Sequence, residues 1–368
     1  MAKKRKKKAY WIIFVFLLVV AIAVGLIFFR TEILRFFKAD VISKDFGVKS
    51  SIPISTGSIA ASENENIYIY ADNGISVYKD SGEFLRSYLL SYSDTQITFS
   101  KTHVIAYDKG ATSYTVFSDG KKVNEYNAKT PITYVFAFDE YMFLLCEGAA
   151  GYEGAVYCSS YQTDVVIPDG YKNEIQYSVK YPIYIDMFDD EDKFVTVCCN
   201  PDDMSKTYIE VFEIGKSTPV SGITLEEFLP KIVCLEKGAF LAVNDNKMIK
   251  IDNKMSKTTI LEDSTITYIS RYDNNAYGYA IIDDEVQIFK VDSENGIDWS
   301  KEVLSDSSGF LSAEKKIIIW QGQSLSMFTL NGNDFHTIQA DSQIQQVLAI
   351  GNKKLVIITP RNAVIYKY

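Results

Sequence analysis

The stretch IYIYADNGISVYKDSGEFLRSY, Ile67 to Tyr88, decides the architecture of this chain. Apolar and polar residues alternate through IYIYA, and a turn is expected at Asn73-Gly74. They alternate again through ISVY, turn once more at Asp80-Ser81-Gly82, and begin a third run. A period of two with Gly and Asn at the breaks is the signature of short antiparallel strands joined by tight hairpins.

The middle run recurs along the chain. ISVY ends at Tyr78, YTVF at Phe117, GAVY at Tyr157, IEVF at Phe212, MIKI at Ile251, VQIF at Phe289, LSMF at Phe328 and AVIY at Tyr366. The successive steps are 39, 40, 55, 39, 38, 39 and 38 residues. Each copy carries an upstream strand, for instance MFLLC, FVTVC or KIIIW. A weaker strand precedes that one, as in ITYVFAFD, PIYIDMFD and ITYISRYD. A turn and an outer strand follow. Four short strands every 39 residues or so describe a propeller blade. The chain is therefore all-β and predicts an eight-bladed β-propeller, with a seven-bladed ring and one irregular copy as the alternative. The eighth copy stops after its third strand. The segment from Val41 to Ile54, which includes VISKDFGV, is expected to supply the missing outer strand and close the ring, since an open edge invites aggregation.

A different pattern precedes the ring. MAKKRKKKAYWIIFVFLLVVAIAVGLIFFRTE opens the chain, and Ala9 to Phe29 are 21 residues without a charge. At about 1.5 Å per residue a helix of that length crosses a hydrocarbon core of roughly 30 Å. Tyr10 and Trp11 sit where interfacial aromatics belong, and the Lys/Arg cluster lies on one side. The expected organisation is a basic cytoplasmic tail (1–8), a single transmembrane helix (9–29), a juxtamembrane linker (30–40) and an extracytoplasmic propeller (41–368). Ala21-Ile22-Ala23 resembles a cleavage site. The apolar run continues beyond it, however, so an uncleaved signal anchor is the expected form.

Charge and composition exclude several functions. The net charge of −9 hides a division: without the six basic residues of the tail, the rest of the chain stands at −15. Such an acidic bulk does not bind nucleic acid. With 47% hydrophobic and 14% aromatic residues, the chain builds a packed core.

Chemistry-bearing motifs are sparse. His103 and His336 belong to blades that are not neighbours. Cys146, Cys158, Cys198, Cys199 and Cys234 show no metal spacing, so no metal or cofactor is expected. Adjacent strand residues point to opposite faces, which separates Cys198 from Cys199. Cys146 and Cys158 flank one hairpin and are placed to face each other, with buried free thiols as the plainer reading. The acidic run Asp189 to Asp192 fits either a solvated hairpin turn or oxygen ligands for Ca²⁺.

The irregular 55-residue step is the best functional pointer. Its extra length is expected in Gly170 to Pro182, between blades three and four. The neighbouring hairpins CEGAAGYEGA and CNPDDMSK are also enlarged. Tyr152, Tyr171, Tyr177 and Tyr181 lie in or near these loops. They are the candidate partner-binding or ligand-binding residues, because tyrosine offers a large apolar face and a hydroxyl at low entropic cost.

In blade length and hairpin chemistry the copies resemble the WD40-like and quinoprotein-like propeller superfamilies, although no Trp-Asp dipeptide closes a blade. Basic tail, single anchor and external propeller together resemble an uncharacterised family of bacterial membrane-anchored β-propeller proteins, which implies no activity. The expected function is a binding scaffold at the cell envelope with a protein, peptide or glycan partner, and not an enzyme. The alternative is a glycan-active hydrolase or lyase using carboxylates in the propeller funnel.

Overall fold

The computed structural model describes residues 47–161, 171–189, 192–294, 296–303, 307–351 and 353–368. They form eight four-stranded antiparallel sheets, the blades of one propeller. We letter the strands of a blade A to D from the central channel outward. In blade one these are Ile59–Glu63, Asn66–Ala71, Gly74–Lys79 and Phe84–Leu89. The B–C hairpin turns one residue earlier than its sequence predicts. Ala71 pairs with Gly74, and Asp72 and Asn73 occupy the turn with φ of 50° and 62°. Two left-handed residues in a two-residue loop make a type I′ turn, whose twist matches that of the strands, and Asp and Asn tolerate that conformation.

The blades pack face to face, so the B strands are buried on both sides. Strand Tyr141–Glu147 of blade three shows how the sequence achieves this. Met142, Leu144 and Cys146 pack towards blade two with Ile105, Tyr107 and Val116. Phe143 and Leu145 point the other way and pack with Phe194 and Phe212 of blade four. Each such side chain contributes about 1.5–3 kcal/mol on leaving water, which explains runs that are apolar throughout rather than alternating. Cys146 pairs with Ala155 and Cys158 with Phe143, on opposite faces of the blade. The two do not face each other, and all five cysteines are free and buried.

The ring closes between its first and last blades. Blade eight has the order Gly47–Pro53, Asn362–Lys367, Lys354–Ile358, Gln346–Ile350, so a strand from the start of the described chain fills its D position. Ile52 joins Ile67 and Ile69 of blade one and Leu348, Val356 and Ile365 of blade eight in one core cluster. Two compact units are distinguished, Lys49–Ile365 and Met1–Val48 with Tyr366–Tyr368. Of the second, only Gly47, Val48 and Tyr366–Tyr368 are among the described residues. The expected transmembrane helix, Ala9–Phe29, lies outside them. No helix among the described residues is long and apolar enough to cross a membrane.

Antiparallel order divides the loops between two faces. A–B and C–D hairpins emerge on one, here the A–B face. B–C hairpins and D-to-A links emerge on the other, the B–C face. This corrects the expected place of the long interval. Asn173–Tyr177 is the D strand of blade three and Tyr181–Met187 the A strand of blade four, so Gly170–Pro182 holds a strand and a three-residue link. The extra length lies in the C–D hairpin, between Ser160 and Asn173, and in the 11-residue C strand Asp203–Glu213 of blade four.

Candidate functional site

The A–B mouth of the channel holds a cavity of about 1150 Å³. It is lined by A strands and A–B hairpins from blades two to seven. Blade two contributes Lys101, blade three Asp139 and Glu140, and blade four Asp186, Asp189 and Asp192. Lys231 comes from blade five, Arg271 and Asp273 from blade six and Glu314 from blade seven. Tyr141, Tyr184 and Tyr272 add aromatic surface.

Arg271 organises one wall. It lies near the end of the A strand Thr265–Tyr272 and reaches past blade five to blade four. Its Nη2 is 2.9 Å from Asp189 Oδ1 and its Nη1 is 3.7 Å from Asp186 Oδ1. Nη1 also donates to the Met187 carbonyl. Asp186 Oδ2 accepts the backbone N–H of Cys234 in blade five at 2.7 Å, and its Oδ1 accepts the Met187 N–H at 2.9 Å. One carboxylate and one guanidinium thus tie three blades together. Burial pushes the Asp186 carboxyl up, with Arg271 and the two N–H donors opposing that shift. Lys231 Nζ donates to the Ile269 carbonyl at 2.8 Å, and burial lowers its pKa.

A second polar clamp joins blades one and two on the same face. Glu63 is 1% exposed. Its Oε2 accepts from Tyr68 Oη and its Oε1 from the Asp119 N–H, both at 2.5 Å. The Gly120 N–H donates to Tyr68 Oη at 2.9 Å. The last residue of an A strand therefore holds the C–D turn of the next blade. Burial, followed by the hydrogen bond to Glu63, drives the Tyr68 hydroxyl pKa far up, so it stays protonated as a donor.

The four tyrosines expected at a binding surface are not brought together. Tyr152 stands 46% exposed in the B–C hairpin of blade three. Tyr181 begins the A strand of blade four on the same face, where its ring edge and Pro182 crowd Gly154. Tyr177 is buried, and its hydroxyl lies 3.1 Å from Thr196 Oγ1. Tyr171 belongs to the A–B face and packs against Tyr157 with ring centroids 4.7 Å apart. Also on the B–C face, Val179 and Met204 are exposed at 65% and 48%.

His103 stacks on Tyr161 at 3.6 Å between ring centroids, and its Nδ1 is 2.8 Å from Thr102 Oγ1. No group of three or more His, Cys, Asp or Glu among the described residues is arranged to hold a metal ion. Of the acidic run Asp189–Asp192, Asp189 is bound by Arg271, while 190 and 191 lie outside the described residues. Sequence reasoning missed Asp186, Lys231 and Arg271. A signal existed, because Asp186 and Arg271 each place a charge inside an otherwise uncharged A strand.

Blade count and strand order define an eight-bladed β-propeller with a cavity at the mouth of its channel. Within that class the chain belongs to the family of unknown function DUF5711, whose model matches residues 43–366. No curated protein is similar to it in sequence. Among solved structures, BamB from Moraxella catarrhalis superposes with a TM-score of 0.57 at 8% identity, covering 88% of this chain and all of that one. The C-terminal WD40 domain of Sif2 gives 0.61 at 10% identity over 88% of this chain and 98% of that one. The dihydro-heme d1 dehydrogenase NirN gives 0.56 at 10% identity over 84% and 73%. At such identities the likeness concerns the fold alone.

Proposed function

We propose that this protein is an extracytoplasmic binding scaffold held at the cell membrane by Ala9–Phe29, with its N-terminus in the cytoplasm. The observation that carries the binding role is the cavity of about 1150 Å³ at the A–B mouth, walled by fixed charges on a stiff ring. Loops on a rigid scaffold position recognition groups at little entropic cost. The anchor rests on the uncharged 21-residue run and the basic cluster before it.

The funnel also carries the carboxylates that a glycan hydrolase would use. Such an enzyme needs an acid and a second carboxylate free to reach the glycosidic bond. Asp186, the most buried of them, has both oxygens engaged by backbone donors and by Arg271. That engagement supports a structural role for it and favours the binding reading.

Proximity labelling on intact cells tests the proposal. The full chain is compared with the triple variant Glu140→Lys, Asp192→Lys, Asp273→Lys. Envelope neighbours present with the wild type and lost with the variant are expected. An unchanged set of neighbours contradicts a binding role for the mouth.

A further inference from the structure

We propose that the A–B hairpin of blade two, Ser100–His103, is a proton-operated latch on the mouth of the channel. It is shut while His103 is neutral and stacked on Tyr161, and it opens when His103 takes up a proton. Ser100 and Lys101 line the mouth, so the latch sets the shape of that wall whether or not a partner binds there.

The hairpin joins strands Thr95–Phe99 and Val104–Asp108, and blades one and three hold it as well as its own. Asp139 of blade three accepts the Lys101 N–H on Oδ1 at 3.1 Å, and its Oδ2 lies 3.7 Å from Lys101 Nζ. The Lys101 carbonyl accepts the Asn64 N–H of blade one at 3.1 Å. The Thr102 carbonyl accepts from Ser118 Oγ of blade two, also at 3.1 Å. Within the hairpin, Ser100 Oγ accepts the N–H groups of Thr102 and His103, both at 3.2 Å. The imidazole lies flat on Tyr161 of blade three, with 9° between the ring planes.

One hydroxyl proton fixes the charge state that the shut latch accommodates. Thr102 Oγ1 donates it to the Asp139 carbonyl at 2.9 Å, so the same oxygen accepts from His103 Nδ1 at 2.8 Å. Neutral His103 therefore carries its proton on Nδ1 and a lone pair on Nε2. A second proton goes on Nε2, and the cation so formed needs an acceptor or water. The carboxylates nearest the ring are already engaged. Glu63 of blade one binds Tyr68 Oη and the Asp119 N–H, and Asp139 binds Lys101. Lys101 adds a like charge on the hairpin itself. Asp119 in the adjoining C–D turn, and Glu140 and the Tyr161 hydroxyl of blade three, complete the titratable groups on the elements packed against it. Burial holds the His103 pKa below the ordinary histidine value, with the fields of Glu63 and Asp139 opposing that shift. The open latch, with its ring in water, takes up a proton more readily than the shut one. Acid therefore drives opening, by at most about tenfold per pH unit below the ordinary value of about 6.5.

Full-length protein, solubilised in detergent and labelled with ring-¹³C histidine, tests the latch by NMR. The chain has 2 histidines, and His103→Gln, or His336→Gln should the first variant misfold, assigns their signals. At about pH 8 the His103 Cε1–H signal is expected upfield of free histidine, through the ring current of Tyr161, and to titrate below about 6.5. On protonation it is expected to lose that displacement, because the ring leaves the stack. A protonated His103 that keeps the displacement, or a titration at or above the ordinary value, overturns the latch.

Hydrogen exchange of Ser100–His103 reports the hairpin itself. Its protection, referenced to intrinsic exchange, is expected to fall severalfold, to at most about tenfold, between about pH 7.5 and about pH 5.5. In His103→Gln it is expected to stay constant. A fall in both proteins, or in neither, overturns the proton dependence. Tyr161→Leu removes the ring face and keeps an apolar cover. Its His103 is expected to titrate closer to the ordinary value, and an unchanged titration overturns the role of the stack.

Discussion

Arg271 of blade six and Asp189 of blade four form an ion pair at 2.9 Å, although blade five lies between them. With Asp186 accepting from Cys234 in that intervening blade, the pair locks the mouth of the channel. Removing the guanidinium strands a buried carboxylate, which typically costs about 3–5 kcal/mol. Arg271→Met is expected to lose about that much, discounted for the half-exposed Asp189, in chemical denaturation. Asp186→Asn with Arg271→Met is expected to recover part of it. An additive double variant contradicts the coupling.

The Asp186 carboxyl gives this wall a pH dependence. Burial raises its folded pKa above the unfolded value, with Arg271 opposing. In the window between the two values the folded state holds more protons than the unfolded, so stability contributed by this group falls as pH rises. The wild type is therefore expected to lose stability relative to Asp186→Asn as pH climbs from about 4, the ordinary Asp value, to its raised folded pKa. Parallel stability curves for the two proteins across that window refute this.

One hairpin holds two adjacent aspartates in a conformation that L-amino acids resist. Asp283 and Asp284, in the B–C turn of blade six, have φ of 51° and 65°. A left-handed residue costs roughly 1–2 kcal/mol, less for Asp, and here two like charges are adjacent. Asp284→Gly is expected to stabilise by about 0.5–1 kcal/mol and raise Tm by about 1–3 °C. An unchanged or lowered Tm contradicts the strain.

Gly278 predicts the opposite. It lies in the B strand of blade six beneath Phe289, whose ring carbon would be 2.2 Å from a new β-carbon. Gly278→Ala is expected to cost about 1–3 kcal/mol or to misfold, and Gly278→Ala with Phe289→Leu to restore much of the loss. Thermal unfolding of the two variants decides it.

The thiols are expected to be silent. Burial pushes Cys146 and Cys198 up to about 12 and also raises Cys158 and Cys234 well above the ordinary thiol value. Iodoacetamide should add nothing to the native protein at pH 8 and five groups after denaturation without reductant. A native disulfide would appear as two fewer additions.

Blade count was legible because the fold repeats it. Tyr78, Phe117, Phe289 and Tyr366 all sit in C strands, and a 39-residue rhythm survives wherever hairpins stay short. What blurred the rhythm also misplaced the long loop. NEIQY alternates as an outer strand must, yet its weak apolar character, half facing solvent, read as connection. Tyr177 looked available for the same reason, whereas its hydroxyl is spent on Thr196 inside the blade. The mouth was less legible still. Asp186, Lys231 and Arg271 are separated by 45 and 40 residues in the chain. Only the curvature of the ring, which no local pattern records, brings their strands to one wall.

Partner binding at the A–B mouth has a direct readout in intact cells. It is tested most directly by a photo-crosslinking amino acid placed at Glu140, inside the mouth, and in a second strain at Tyr152 on the B–C face. After illumination of intact cells, a discrete protein adduct from position 140, absent from position 152, is the predicted result. An adduct from position 152 alone, or none from 140 in protein that is folded and membrane-bound, contradicts it.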